Sequence, residues 1–228
     1  MADTPQPTLS ARCVLAVCAH PDDESFGLGG ILANVTANQA TAHLLCFTSG
    51  EASTLGANLT DLATVRSAEL EAATAVLGLS STHLCGYADG RLTEADLATL
   101  VSEVVTVARN TGADCLLVFD PGGITGHPDH QRATEAALVA AGQLGIPVLA
   151  WALAPEVATP LHTEFGVQFV ATEHDQIHLR LRVDRTAQLA AIACHASQSP
   201  NNPVLRRRLE LQGDIESLRW LAPPADAR

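Results

Sequence analysis

The sequence predicts an α/β fold, a Rossmann-like three-layer sandwich whose mostly parallel sheet carries helices on both faces. Two observations predict it. Short unbroken apolar runs alternate with longer segments of helical period, and the chemistry-bearing residues collect just behind the runs. Runs that are apolar throughout describe strands buried on both sides, the condition of a parallel sheet sandwiched between helices. The 228 residues suit one domain spanning 1–228, with 1–11 and 222–228 expected to be flexible. With 47% hydrophobic but only 4% aromatic residues, the core must be filled mainly by Ala, Val, Leu and Ile.

In chain order, the strands are expected at Val14–Ala19, His43–Phe47, a weaker Thr82–Leu84, Cys115–Phe119 and Val148–Leu153. Helices are expected at Leu28–Asn38, Asp61–Leu77, Glu94–Asn110 and His130–Leu144. In the second of these, Leu62, Val65, Leu70, Ala73 and Leu77 recur at threes and fours opposite a polar face. Thr93 is placed to cap the third, and Gly78 and Gly112 stand where helices exit. After Trp151 the rhythm changes. Ala154–Phe165, with Pro155 and Pro160, reads as a loop, Gly166–Ala171 and Ile177–Val183 as late strands, and Arg185–Cys194 and Val204–Trp220 as closing helices.

Charge narrows the function. The net charge is −12, and all 13 basic residues are arginines. An acidic chain is repelled by phosphate backbones and anionic lipid, which argues against nucleic-acid binding and membrane insertion. Arg206-Arg207-Arg208 is short and lacks aromatic neighbours, so it reads as a solvated helix face or a subunit contact; a homo-oligomer is compatible. Six scattered cysteines without a CxxC pair and no visible signal segment point to the cytoplasm. Gly27-Leu28-Gly29-Gly30 lacks the dinucleotide-binding register and reads as glycines that let a helix approach the sheet closely.

Ligands of open α/β sheets bind beyond the carboxyl ends of the strands. His20-Pro21-Asp22-Asp23 follows the first strand, and His127-Pro128-Asp129-His130 follows Cys115–Phe119. His20, Asp23 and His130 supply the two-imidazole, one-carboxylate set that a catalytic zinc uses while keeping a position for water; Fe²⁺ or Co²⁺ would also be accepted. Asp22, pointing away from Asp23, is free to take a proton from metal-activated water. His127 is placed to stabilise an oxyanion or protonate a leaving amine, and Asp129 to fix a histidine tautomer. The reaction class is metal-assisted hydrolysis of an amide or ester. Each segment taken singly could instead be an N-terminal charge complement.

Together these motifs resemble the PIG-L/LmbE family of zinc-dependent deacetylases, over most of the chain to about Ser199. The resemblance implies removal of an acyl group, usually acetyl, from a glucosamine-type conjugate. It implies His20, Asp23 and His130 as zinc ligands, Asp22 as general base, His127 as acid or oxyanion donor, and Asp129 as its tuner. It implies that Arg66, in Arg66-Ser67-Ala68-Glu69, and Asp89, in Tyr87-Ala88-Asp89-Gly90, reach the sugar. Glu51 and His195, in Thr48-Ser49-Gly50-Glu51 and His195-Ala196-Ser197-Gln198, would line the pocket. Gln188 stands where members often carry lysine, a departure that touches structure more than catalysis. Rival readings are an amidase of thiol conjugates or other acylated metabolites, and a non-catalytic sugar- or nucleotide-binding module.

Overall fold

A computed structural model of the protein describes residues 11–55 and 59–224. Five parallel strands are present: β1 (Cys13–Cys18), β2 (Thr41–Thr48), β3 (Ser81–Tyr87), β4 (Cys115–Phe119) and β5 (Val148–Ala152). Two more, β6 (Leu179–Arg182) and β7 (Ile215–Ala222), are antiparallel, giving a seven-stranded sheet in the order β3-β2-β1-β4-β5-β7-β6. β1, β4 and β5 are buried along their whole length, as their unbroken apolar sequences require.

The helices are α1 (Asp23–Phe26), α2 (Gly29–Ala37), α3 (Leu62–Val76), α4 (Leu97–Thr111), a kinked four-residue turn α5 (Gly123–Gly126), α6 (Pro128–Leu144), α7 (Pro155–Phe165), α8 (Thr186–Cys194) and α9 (Pro203–Gln212). Alternate strand residues serve two cores. Val14, Ala16 and Leu44 meet Ile31, Leu70, Leu161 and Ala191 of α2, α3, α7 and α8 on one face. Leu15, Val17 and Leu116 meet Val104 of α4 and the Ala133–Ala141 stripe of α6 on the other. No helix among the described residues is long and apolar enough to cross a membrane.

Five expectations are corrected. Ala154–Phe165 is largely helical: Pro155 occupies the first turn, where its missing N–H costs nothing, and Gly166 closes the helix. Gly166–Ala171 contributes a single bridge, Leu153 to Ala171, rather than a strand. Val204–Trp220 divides at Gly213 into α9 and β7, and Ala222, expected to be flexible, pairs with Val148. Thr93 sits in a single 3₁₀ turn, and Asp96 stands at the N-cap of α4. Of the expected flexible ends, 1–10 and 225–228 lie outside the described residues.

Candidate metal and catalytic site

The strand order turns outward on both sides between β1 and β4, and such a switch point opens a crevice beyond the strand ends. Into it run the segments that follow these two strands. Asp22, at φ 109°, turns the chain sharply from β1 into α1. That left-handed turn sends three consecutive acids in three directions.

Asp23 points at the histidines. Its Oδ2 accepts from the backbone N–H groups of Ala19 and His20, at 3.1 and 2.9 Å, and its Oδ1 lies 3.1 Å from His130 Nε2. His20 Nδ1 is 3.2 Å from His130 Nε2. The far nitrogen of each ring is already engaged. His20 Nε2 faces Asp89 Oδ1 at 3.0 Å and Asp129 Oδ2 at 3.3 Å, while His130 Nδ1 donates to the Gly123 carbonyl at 3.1 Å. With their protons committed outward, the inner nitrogens turn lone pairs toward one another and toward a carboxylate, a donor set that a divalent cation satisfies. Burial pulls the pKa of His20 down, but its bonds to Asp129 and Asp89 outweigh this and push it up to about 10, so in the absence of a cation Nδ1 takes the proton that a divalent metal would displace. Burial opposes ionisation of Asp23 too, yet His130 and His20 hold its pKa well below the usual carboxylate range.

His20, His127 and Asp129 form a second, overlapping cluster of possible ligands. It is the poorer set, because both Asp129 oxygens are occupied: Oδ1 accepts from Leu92 N–H at 3.0 Å, and Oδ2 from Gly90 N–H at 2.8 Å. His127 is the N-cap of α6, and its Nδ1 accepts from Asp129 N–H at 3.2 Å. The ring proton is thereby left on Nε2, in the cleft. Burial and the neighbouring His130 and His20 lower its pKa, favouring the neutral ring.

Asp22 lies beside Arg66, with Oδ2 3.0 Å from Nη2. Burial raises its pKa and the Asp23 charge adds to the rise, against the pull of Arg66. Arg66 itself is buried and also donates to the Gly50 carbonyl at 2.5 Å and to the Pro21 carbonyl. Gly50, at φ 66°, has to be glycine, since a Cβ there would fall 2.1 Å from the guanidinium.

One cleft of about 310 Å³ is lined by His20, Asp22, Asp23, Arg66, Asp89, Gly90, His127 and His130, with Ala52, Ser53 and Gln198. Glu51 is exposed outside this lining and accepts from Asp89 N–H at 2.9 Å. Three expected roles change. Asp129 reaches His20 with its carboxylate, whereas His127 meets only its backbone. Glu51, expected to line the pocket, stands outside it and holds the Asp89 N–H, while Glu69 accepts from Ser197 N–H and Oγ, each at 2.7 Å. His195 is 0% exposed and bonds Glu24 Oε1 at 2.6 Å, so no substrate touches it.

Glu24 was not foreseen from the sequence. Fully buried, it gathers His195, Ser25 Oγ at 2.6 Å and Asp22 N–H at 2.9 Å, and so fixes the start of α1 from behind. Gln198, which receives Ser53 Oγ at 2.7 Å and donates to the Leu55 carbonyl, ties the loop after β2 to the cleft. Its place in the His-x-Ser-Gln element was the available signal.

A profile of the PIG-L family, described as GlcNAc-PI de-N-acetylase, matches residues 15–141, more than half of the chain. The chain belongs to the PIG-L family. A probable N-acetyl-α-D-glucosaminyl L-malate deacetylase 2 of Bacillus anthracis is 28% identical over 223 residues, 92% of each chain. A 1D-myo-inositol 2-acetamido-2-deoxy-α-D-glucopyranoside deacetylase of Rhodococcus erythropolis is 34% identical over 168 residues; the match covers 61% of this chain and 57% of that longer one. Among solved structures, the A40926 pseudoaglycone deacetylase Dbv21 superposes with a TM-score of 0.69 at 22% identity, covering 91% and 95% of the two chains. The 4-carboxy-2-hydroxymuconate hydratase GalB of a Pseudomonas gives 0.70 at 20%, covering 94% and 98%. At such identities the likeness shows the fold alone, and a fold shared with a hydratase leaves the reaction to the site.

Proposed function

We propose that this PIG-L member is a divalent-metal-dependent hydrolase that removes an N-acyl group, acetyl in the first instance, from a glucosamine-type conjugate. The observation that carries this reading is the inward-facing trio of His20 Nδ1, His130 Nε2 and the Asp23 carboxylate, with Asp22 and His127 Nε2–H in the same cleft. Zinc suits two imidazoles and a carboxylate; Fe²⁺ and Co²⁺ would fit as well. Bound by these three residues, the cation would supply Lewis acidity toward the amide carbonyl and toward water.

The protein's own groups do the rest. Asp22, raised in pKa and anchored through one oxygen by Arg66, takes the proton of the attacking water on its other oxygen. His127 Nε2–H donates to the oxygen on which charge develops as the carbonyl becomes tetrahedral. The proton on Asp22, or that of His127, then passes to the departing amine. Arg66 and Asp89 face the cleft where sugar hydroxyls would lie, with Glu51 supporting Asp89 from behind. The six cysteines are unpaired, in keeping with work in the reducing cytoplasm.

The test is release of free amine from a panel of N-acetylglucosaminides bearing malate, inositol or thiol-containing aglycones, alongside metal analysis of the purified protein. About one zinc, iron or cobalt per chain and turnover of at least one glucosaminide are expected. A protein that retains no metal, or hydrolyses no N-acylated amino sugar, overturns the reading.

A further inference from the structure

On the side of Asp23 and His130 away from the polar cleft lies a second cavity, of about 160 Å³. A water needs only about 15 Å³ on this measure, so the space holds a chain of several heavy atoms. Its walls are apolar, chiefly Phe26, Phe119, Ile124, Trp151 and Phe169, and one cation, Arg208, borders it. The rings form a continuous path: Phe119 is edge-on to His130 at 4.9 Å, Trp151 lies 5.2 Å from Phe119, and the Arg208 guanidinium stands 5.0 Å over Trp151.

Arg208 departs from the expected solvated face. It is 4% exposed, whereas Arg207 meets Glu164 at 2.9 Å and Arg206 is exposed. It donates to the Phe26 carbonyl and to Gln212 Oε1 at 2.5 Å, but among the described residues no carboxylate lies within ion-pair distance. The nearby Glu216 is spent on Arg185, at 2.5 Å, and on Trp151 Nε1, at 2.7 Å. A buried guanidinium has lost its water and, without a carboxylate, has only neutral acceptors in exchange. Gly27 keeps the chamber in shape: a Cβ there would lie 2.5 Å from Phe119 Cε1.

We infer that this cavity is the acyl-side chamber of the site and that it binds a short apolar chain ending in a carboxylate, with the carboxylate on Arg208. The inference rests on the deacylase reading for the chamber's use, though not for the binding itself. The carboxylate in question stands at the far end of the acyl group, because the one that hydrolysis creates comes from the scissile carbonyl and lies at the Asp23–His130 end of the chamber.

The experiment is fluorescence titration of the metal-loaded full chain in a Trp220→Phe background, where Trp151 alone reports. Succinamate stands for an acyl group with a distal carboxylate, and butyramide, which carries a methyl group in place of that carboxylate, is the uncharged control. Saturable quenching is expected with a dissociation constant on the order of 1 mM for succinamate. It should be at least tenfold weaker for butyramide, and Arg208→Met should remove that preference while leaving butyramide unaffected. Equal binding of succinamate and butyramide by the unaltered Arg208 protein, or unchanged succinamate binding in Arg208→Met, overturns the inference; if Arg208→Met does not fold, the succinamate–butyramide comparison alone decides. Because no turnover is read, acid binding without hydrolysis of any glucosaminide would sink the functional reading and leave the chamber standing.

Discussion

Asp22 and Asp23 on the cleft side, and Glu24 with His195 behind it, are neighbouring regions built from the same chemistry with different access to solvent. The cleft-side pair keeps an opening to the ligand, and its histidines turn inner nitrogens toward a shared centre. Glu24 and His195 are both fully buried and bonded to each other, Glu24 also holding Ser25 Oγ and Asp22 N–H, while His195 Nδ1 has no partner. Adjacency in the chain therefore says little about role. The left-handed turn at Asp22 decides which acid faces substrate and which holds the scaffold.

The comparison can be broken most severely at Asp22. Asn accepts a positive φ at least as well as Asp, so Asp22→Asn should keep the fold and its melting temperature while kcat falls by about 10²–10⁴. Steady-state kinetics beside a melting curve checks this; near-normal kcat removes Asp22 from the mechanism. Glu24→Ala should show the opposite signature. Deleting one member of a buried pair costs about 3–5 kcal/mol, read by urea unfolding, and activity per folded molecule should suffer less than in Asp22→Asn.

Gly27→Ala sharpens the contrast from the far wall. The added methyl must displace the Phe119 ring, an overpacking cost of about 1–3 kcal/mol, visible in the unfolding midpoint. The smallest effect is on pH dependence. Burial lowers the pKa of His195, but its bond to Glu24 and the surrounding acids outweigh this and raise it. A raised folded pKa contributes stability that is complete below the unfolded value of about 6.5 and is lost as pH climbs through the folded one. Unfolding free energies measured on both sides of that window should therefore decline with rising pH in the parent. In Glu24→Gln the decline should flatten.

How much of this the sequence disclosed depended on whether a signal was local. The βα units up to Leu144 were legible because continuous apolar strands and capped helices are written in contiguous residues, and both His-Pro-Asp segments lie directly behind such strands. β7 was hidden because Glu216 and Arg219 interrupt its apolar pattern; Glu216 is nevertheless buried, since Trp151 and Arg185, remote in sequence, satisfy it. Arg208 looked like its two neighbours, and only the course of α9 past Trp151 separates it from them. Likewise, nothing local reveals that Asp129 reaches His20 rather than the adjacent His127.

The place of β7 also bears on how the chain is made. It follows β6 in sequence yet is threaded between β5 and β6. While a ribosome is still synthesising 215–222, β5 has an unpaired edge and β6 has no neighbour to zip onto. The five parallel strands can pair without this segment, but the flank bearing Trp151 closes only once it is in place.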